Sequence, residues 1–296
     1  MLAGIALHLS NLTAVKLPPL IFSANTVTAT LTPFNSRLTW LHLRVLHSEW
    51  HQLAMTLNMP NLRHLEVHLT DRLKGFVPDR GRLWRYDPVS ALPLWSQNLQ
   101  VLHLHAPADI APTFITHDLQ RLAETLREVK LVTHEEAVME NDDDEQLPPS
   151  LIWPVLRILD VPVAAFRIMA ADSIATRDAF PQLRSLHLKH RPTNQRVMTI
   201  LPSLFDLLCV TNLSMKSVQM PFAELERLAA CSPHLAHLSI VDCSFSGPTH
   251  AAPIVFPALV KLVTRNSKLD RLGAAMILPR LETLCVDGFS PLCVTP

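Results

Sequence analysis

Apolar residues return along this chain in one short phrase. Pro60-Asn-Leu62-Arg-His-Leu65-Glu-Val67 has the same form as Pro181-Gln-Leu183-Arg-Ser-Leu186-His-Leu188, Pro233-His-Leu235-Ala-His-Leu238-Ser-Ile240 and Pro279-Arg-Leu281-Glu-Thr-Leu284-Cys-Val286. Trp153-Pro154-Val-Leu156-Arg-Ile-Leu159-Asp-Val161 is another copy, and Phe256-Pro257-Ala-Leu259-Val-Lys-Leu262 a weaker one. Copies without proline begin at Leu38, Leu99, Leu126 and Val210, and the first at Leu12. The first apolar positions are then 12, 38, 62, 99, 126, 156, 183, 210, 235, 259 and 281, and eight of the ten spacings fall within 22–27 residues. One such phrase means little in a leucine-rich chain, but eleven in step define a repeat.

The phrase predicts its own structure. In a strand, alternate side chains point to opposite faces, so the two apolar residues of Leu-x-Leu enter a core and the residue between them faces solvent. Proline two places before the first leucine is expected to end the preceding helix, because it has no amide hydrogen to give. Glu49–Leu57 and Phe222–Ala230 place apolar residues on one helical face: Trp50, Leu53, Ala54 and Leu57 in the first, Phe222, Leu225, Leu228 and Ala229 in the second. A strand, a turn and a helix per unit, buried only by neighbouring units, predicts an α/β solenoid of about eleven irregular repeats. It should be a right-handed horseshoe with a parallel concave sheet and helices on the convex side, forming one domain over 1–296. Two long spacings mark insertions expected to be surface loops. One, at 70–98, is basic and aromatic and includes Trp84 and Tyr86; the other, at 133–150, is acidic.

The apolar-Pro-x-Leu-x-x-Leu-x-apolar phrase with irregular spacing resembles the leucine-rich-repeat regions of fungal F-box-type proteins, and the ribonuclease-inhibitor-like superfamily more generally. The resemblance covers residues 5–290. It implies a substrate-recognition module of a cullin-type ubiquitin ligase, in which the repeats hold the substrate and an N-terminal F-box docks to the ligase. No F-box is detected, since the chain is in repeat register by Leu12. A cullin-ligase adaptor is therefore an expected partner only if an F-box is encoded upstream. The family's Asn or Cys after the strand is matched by Cys243, while Thr70, Arg191, Val218 and Phe289 stand at the equivalent places. A stand-alone scaffold or inhibitor is the alternative.

The register also nominates a binding face. Trp40, His42, Arg44, His64, His68, His103, His105, His187 and Lys189 are solvent-facing strand positions. An aromatic beside basic and titratable groups suits a protein or peptide ligand that is acidic or phosphorylated. The face should gain charge as pH falls through roughly 6.5, the ordinary histidine value. Trp84 and Tyr86 are candidate contacts from the first insertion.

Composition narrows the rest. The 26 basic and 26 acidic residues cancel, so no global field favours nucleic acid or a membrane surface. No uninterrupted apolar run of about 18 residues occurs, and the apolar N-terminus lacks the basic start of a signal peptide. The five cysteines are odd in number and contain no C-x-x-C pair, which suggests reduced thiols in the cytoplasm or nucleus. His47 and His51 form an i, i+4 pair with no cysteine or carboxylate cluster beside it, so no metal site is expected. Without a glycine-rich phosphate loop or a G-x-S-x-G motif, neither catalysis nor a cofactor is expected.

Overall fold

The computed structural model describes residues 12–17, 23–70, 92, 97–106, 114–133, 152–170, 176–190, 209–246, 253–265, 267, 276–286 and 292–293. Trp84, Tyr86, the acidic stretch 134–150, Arg191 and Phe289 lie outside them. The chain forms two compact units, Met1–Glu140 and Asn141–Pro296.

The first unit contains β1 (Ala14–Lys16), α1 (Ala24–Leu31), β2 (Trp40–Leu46), α2 (His47–Thr56), β3 (His64–Thr70), β4 (Val101–Ala106) and β5 (Glu128–Thr133). Its five strands pair in chain order and all run parallel. The pairing is in the register that the repeats predict. Val15, Leu41, Leu65, Leu102 and Val129 form one row; Leu43, Val67, Leu104 and Leu131 form the next. From β2 onward these residues are buried, and the positions between them are half-buried. α2 matches the apolar periodicity and buries Trp50, Leu53 and Ala54, with Leu57 buried just beyond it. α1 lies against α2 and is capped by Ser23, whose hydroxyl accepts from the Thr26 amide at 3.3 Å.

The second unit contains β6 (Ile158–Pro162), α3 (Val163–Ala170), β7 (Ser185–Lys189), β8 (Asn212–Lys216), β9 (Gln219–Pro221), α4 (Phe222–Cys231), β10 (His237–Val241), β11 (Ser244–Ser246), β12 (Ile254–Val255), β13 (Lys261–Arg265), β14 (Met276–Ile277), β15 (Thr283–Cys285) and β16 (Leu292–Cys293). Strands β6, β7, β8, β10, β13 and β15 form a parallel series in that order, and β16 adds to β15 antiparallel. Leu159, Leu186, Leu213, Leu238, Leu262 and Leu284 make the matching row. α4 buries Phe222, Leu225, Leu228 and Ala229, as its pattern requires. Pro162, which alternation would place on the open face, is buried instead, because β6 runs directly into α3.

One expectation needs refining. The phrase prolines do more than end helices. Pro60, Pro154, Pro181, Pro233, Pro257 and Pro279 each occupy the second position of a four-residue turn, closed by the amide of the following leucine onto the carbonyl before the proline at 3.1–3.4 Å. A fixed φ suits that position, and the missing amide is not needed there. In five of the six turns the residue ahead of the proline is a buried anchor (Met59, Trp153, Phe180, Ser232 and Phe256), and in the sixth Leu278 is half-buried. Residues 114–119 form a π-helix and 120–122 a 3-10 helix, and short parallel pairs, β9 with β11 and β12 with β14, stand where the later repeats leave the main strands.

One main-chain device recurs in both units. The carbonyl just before one strand accepts the two consecutive amides that open the next. Thr13, Thr39, Arg63 and Gln100 do this in the first unit; Arg157, Arg184, Thr211, Ala236 and Val260 do it in the second. After β10 and β13 a side chain adds to it. Cys243 Sγ donates to the Met215 carbonyl and Ser267 Oγ to that of Ile240, so Ser267 is the counterpart of Cys243 one repeat later.

Candidate functional site

The open face of the first unit carries three rows. Trp40, His64, Val101 and Glu128 form the first, His42, Glu66, His103 and Lys130 the second, and Arg44, His68, His105 and Val132 the third. Parallel strands about 4.8 Å apart force opposed side chains into contact, and same-face neighbours on one strand sit two residues on. Seven of the nine strand residues nominated from sequence therefore fall on one surface. His187 and Lys189 belong to the second unit and have their own contacts there: the His187 ring meets Ser185 Oγ at 3.0 Å, and Lys189 pairs with Asp160 at 2.7 Å.

The rings interlock. Trp40 lies 5.6 Å from His64 and 6.1 Å from His42, centroid to centroid. His64 meets His103 edge-on at 5.3 Å, His42 meets His68 at 5.2 Å, and His68 stacks on His105 at 4.0 Å. Two carboxylates tie these rings down. Glu66 Oε2 is 3.0 Å from His42 Nδ1, and its Oε1 is 3.1 Å from His68 Nε2. Glu128 Oε1 takes His103 Nε2 at 2.7 Å.

The electrostatics depart from a uniformly titrating face. Burial works against ionised Glu66, but hydrogen bonds from His68 and His42, together with their charge, outweigh it and bring the carboxyl down to about 2. Burial, reinforced by His68 and Lys130, lowers His105 to about 4. Burial and the neighbouring His103 also lower His64. Both rings are thus held in the neutral form, and the expected gain of charge near pH 6.5 does not extend to them.

Glu66 and Glu128 were absent from the nominated residues, although alternation places both on this face. Opposition in register, Glu66 to His42 and Glu128 to His103's neighbour Val101, is the signal that could have found them. Sequence reasoning also missed a polar hollow of ≈ 360 Å³ where the strands of the first unit begin, lined by Arg37, Arg63, Asn61 and Asn98 among others. There Asn61 donates to the Ser36 carbonyl at 2.7 Å and Asn98 to that of Pro60 at 2.9 Å, linking successive repeats.

The face offers two sets of metal-ligating atoms that share Glu66. One atom from each of His42, Glu66 and His68 lies within 4.8 Å of the others, and the same holds for His64, Glu66 and His103. The Nε2 atom of His64 is buried and has no hydrogen-bond partner among the described residues. No helix among the described residues is long and apolar enough to cross a membrane. No known family model matches the chain, and no curated protein sequence matches it.

Proposed function

We propose that the chain is a non-enzymatic leucine-rich-repeat scaffold that holds a protein partner on the open face of its first unit. The observation that carries this reading is the in-register row structure, which gathers Trp40, His42, Arg44, His64, His68, His103 and His105 on one surface. Tryptophan and arginine, both present on this face, are the residue types in which binding hot spots are enriched. Arg44 and Lys130 supply cations for a carboxylate or phosphate on the partner. In this reading the about eleven repeats curve as a horseshoe with helices outside, and the protein works in the cytoplasm or nucleus.

A substrate-recruiting role for a cullin-type ubiquitin ligase follows from the resemblance of the repeat phrase to F-box leucine-rich-repeat proteins. The alternative is a scaffold or inhibitor with no ubiquitin role. Affinity capture of partners by the wild-type chain and by a Trp40→Ala/His103→Ala variant tests the first level. Partners should be lost from the variant while it keeps the wild-type circular dichroism and a cooperative thermal transition. Equal capture by both proteins rejects the face. Presence or absence of a cullin-ligase adaptor among the captured proteins separates the two roles.

A further inference from the structure

Five imidazoles and two carboxylates on four adjacent strands are more than a solvated strand face requires. Such a face would leave each polar group to water, yet His42, Glu66 and His103 keep only 17–23% of their side-chain surface exposed, with His42 bonded to Glu66 and His103 to Glu128. We propose that His42 Nδ1, the Glu66 carboxylate and His68 Nε2 form a binding site for one divalent transition-metal ion of the zinc class, open on the side away from the sheet.

The donor set fits that chemistry. Two imidazoles and a carboxylate with an open position are a known type of zinc environment, and borderline ions prefer imidazole to the all-oxygen shells of magnesium and calcium. The geometry fits too. A tetrahedral ion about 2.1 Å from nitrogen and oxygen donors holds those donors roughly 3.4 Å apart. His42 Nδ1 lies 3.0 Å from one Glu66 oxygen and His68 Nε2 3.1 Å from the other, and one ligand atom from each of the three residues lies within 4.8 Å of the other two. An ion would replace the hydrogen bonds that His42 and His68 now make to Glu66.

The sheet supplies the rigidity. His42 and Glu66 are opposed in β2 and β3, and His68 lies two residues beyond Glu66 on the same face. The His105 ring stacked on His68 at 4.0 Å limits how far that imidazole can turn. Among the candidate donors, His103 is less available, because its Nε2 already holds Glu128 at 2.7 Å. That contact is why the His42–Glu66–His68 set is chosen over the set with His64 and His103. The helical pair His47 and His51 on α2 groups with no third donor among the described residues. The coordination positions left open would be filled by water or by a carboxylate from a bound protein. The site itself does not depend on the scaffold reading.

The test is titration of the metal-stripped 296-residue chain with Zn²⁺ in competition with a chromophoric chelator. The wild-type chain should take up one equivalent, and Co²⁺ in its place should show the strong visible absorption of a four-coordinate ion. His42→Asn/His68→Asn should weaken Zn²⁺ binding by about 100-fold or more, since loss of supporting groups alone costs 10–100-fold. His64→Asn/His103→Asn and His47→Asn/His51→Asn should each bind within about 3-fold of wild type. If the first double variant is not folded by circular dichroism, Glu66→Gln is titrated instead, with the same loss expected. Absence of Zn²⁺ uptake by the wild-type chain overturns the proposal, as does uptake that survives loss of His42 and His68 or, in the fallback, of the Glu66 charge. Partner capture in the presence of a chelator is read separately, so failure of the metal site and failure of the scaffold reading are distinguishable.

Discussion

The two units build the same backbone and dress it differently. Each lays parallel strands in one register with buried aliphatic rows, and each repeats the doubly accepting carbonyl. On the open face of the first unit, rings and carboxylates touch across four successive strands. In the second unit the corresponding positions include Ser185, Ser214 and Ser239 with the cations Lys216, Lys261 and Arg265, and the Lys189–Asp160 pair has a half-exposed lysine. Architecture is thus separable from recognition: the rows fix the fold, and the residues between them decide what the face can do.

The sameness can be broken at the aliphatic rows. Leu65→Asp and Leu186→Asp, both fully buried, should each cost at least about 3 kcal/mol, because an unpaired charge enters a packed core. Loss of the cooperative thermal transition measures it; near-wild-type melting of either variant would refute the common core.

The difference between the faces comes next. Glu66→Ala strands two imidazoles and should cost about 2 kcal/mol in denaturant unfolding, whereas Asp160→Ala, opposite a half-exposed lysine, should cost under about 1 kcal/mol. Equal losses would erase the contrast.

Two carboxylates sharpen it further. Glu66 is held by partners, whereas Glu224 on α4 is buried, with Oε2 unpaired among the described residues. Burial pushes the Glu224 carboxyl up, with Arg227 only partly opposing. A folded-state value above the unfolded one means that the ionised form destabilises the fold at neutral pH, and that this penalty fades as pH falls through the folded value. Glu224→Gln should therefore be more stable than wild type by about 1 kcal/mol at pH 7, with the gap closing in acid. Melting curves at pH 7 and pH 4 check it.

The smallest effect concerns backbone strain. Ser217 and Asp242, the residues just after β8 and β10, have φ of 56° and 54°. A residue with a Cβ is disfavoured there, so Ser217→Gly should stabilise by up to about 0.5 kcal/mol despite glycine's freer unfolded state. A measurable loss of stability would contradict this.

The rows were legible because their cause is local and repeated eleven times. A strand needs alternation, and Leu65, Leu186 and Leu238 show it in sequence. The prolines were legible as positions but not as turns, since the carbonyl that closes each turn belongs to the residue ahead of it. Glu66 was harder to see. Its importance comes from His42, 24 positions earlier in the chain, and only the pairing of two strands brings them together. The lowered values of His64 and His105 arise the same way, from burial by neighbouring strands. Ser267 escaped because its likeness to Cys243 is one of donor geometry, not residue type.

The forked carbonyls have an evolutionary consequence. Since backbone atoms at Thr39, Arg63, Arg184 and their equivalents set how one strand meets the next, the side chains between the aliphatic rows carry little of the alignment. Those positions are free to diverge, and a lineage can exchange one ligand for another by point substitution without re-solving how its coils stack.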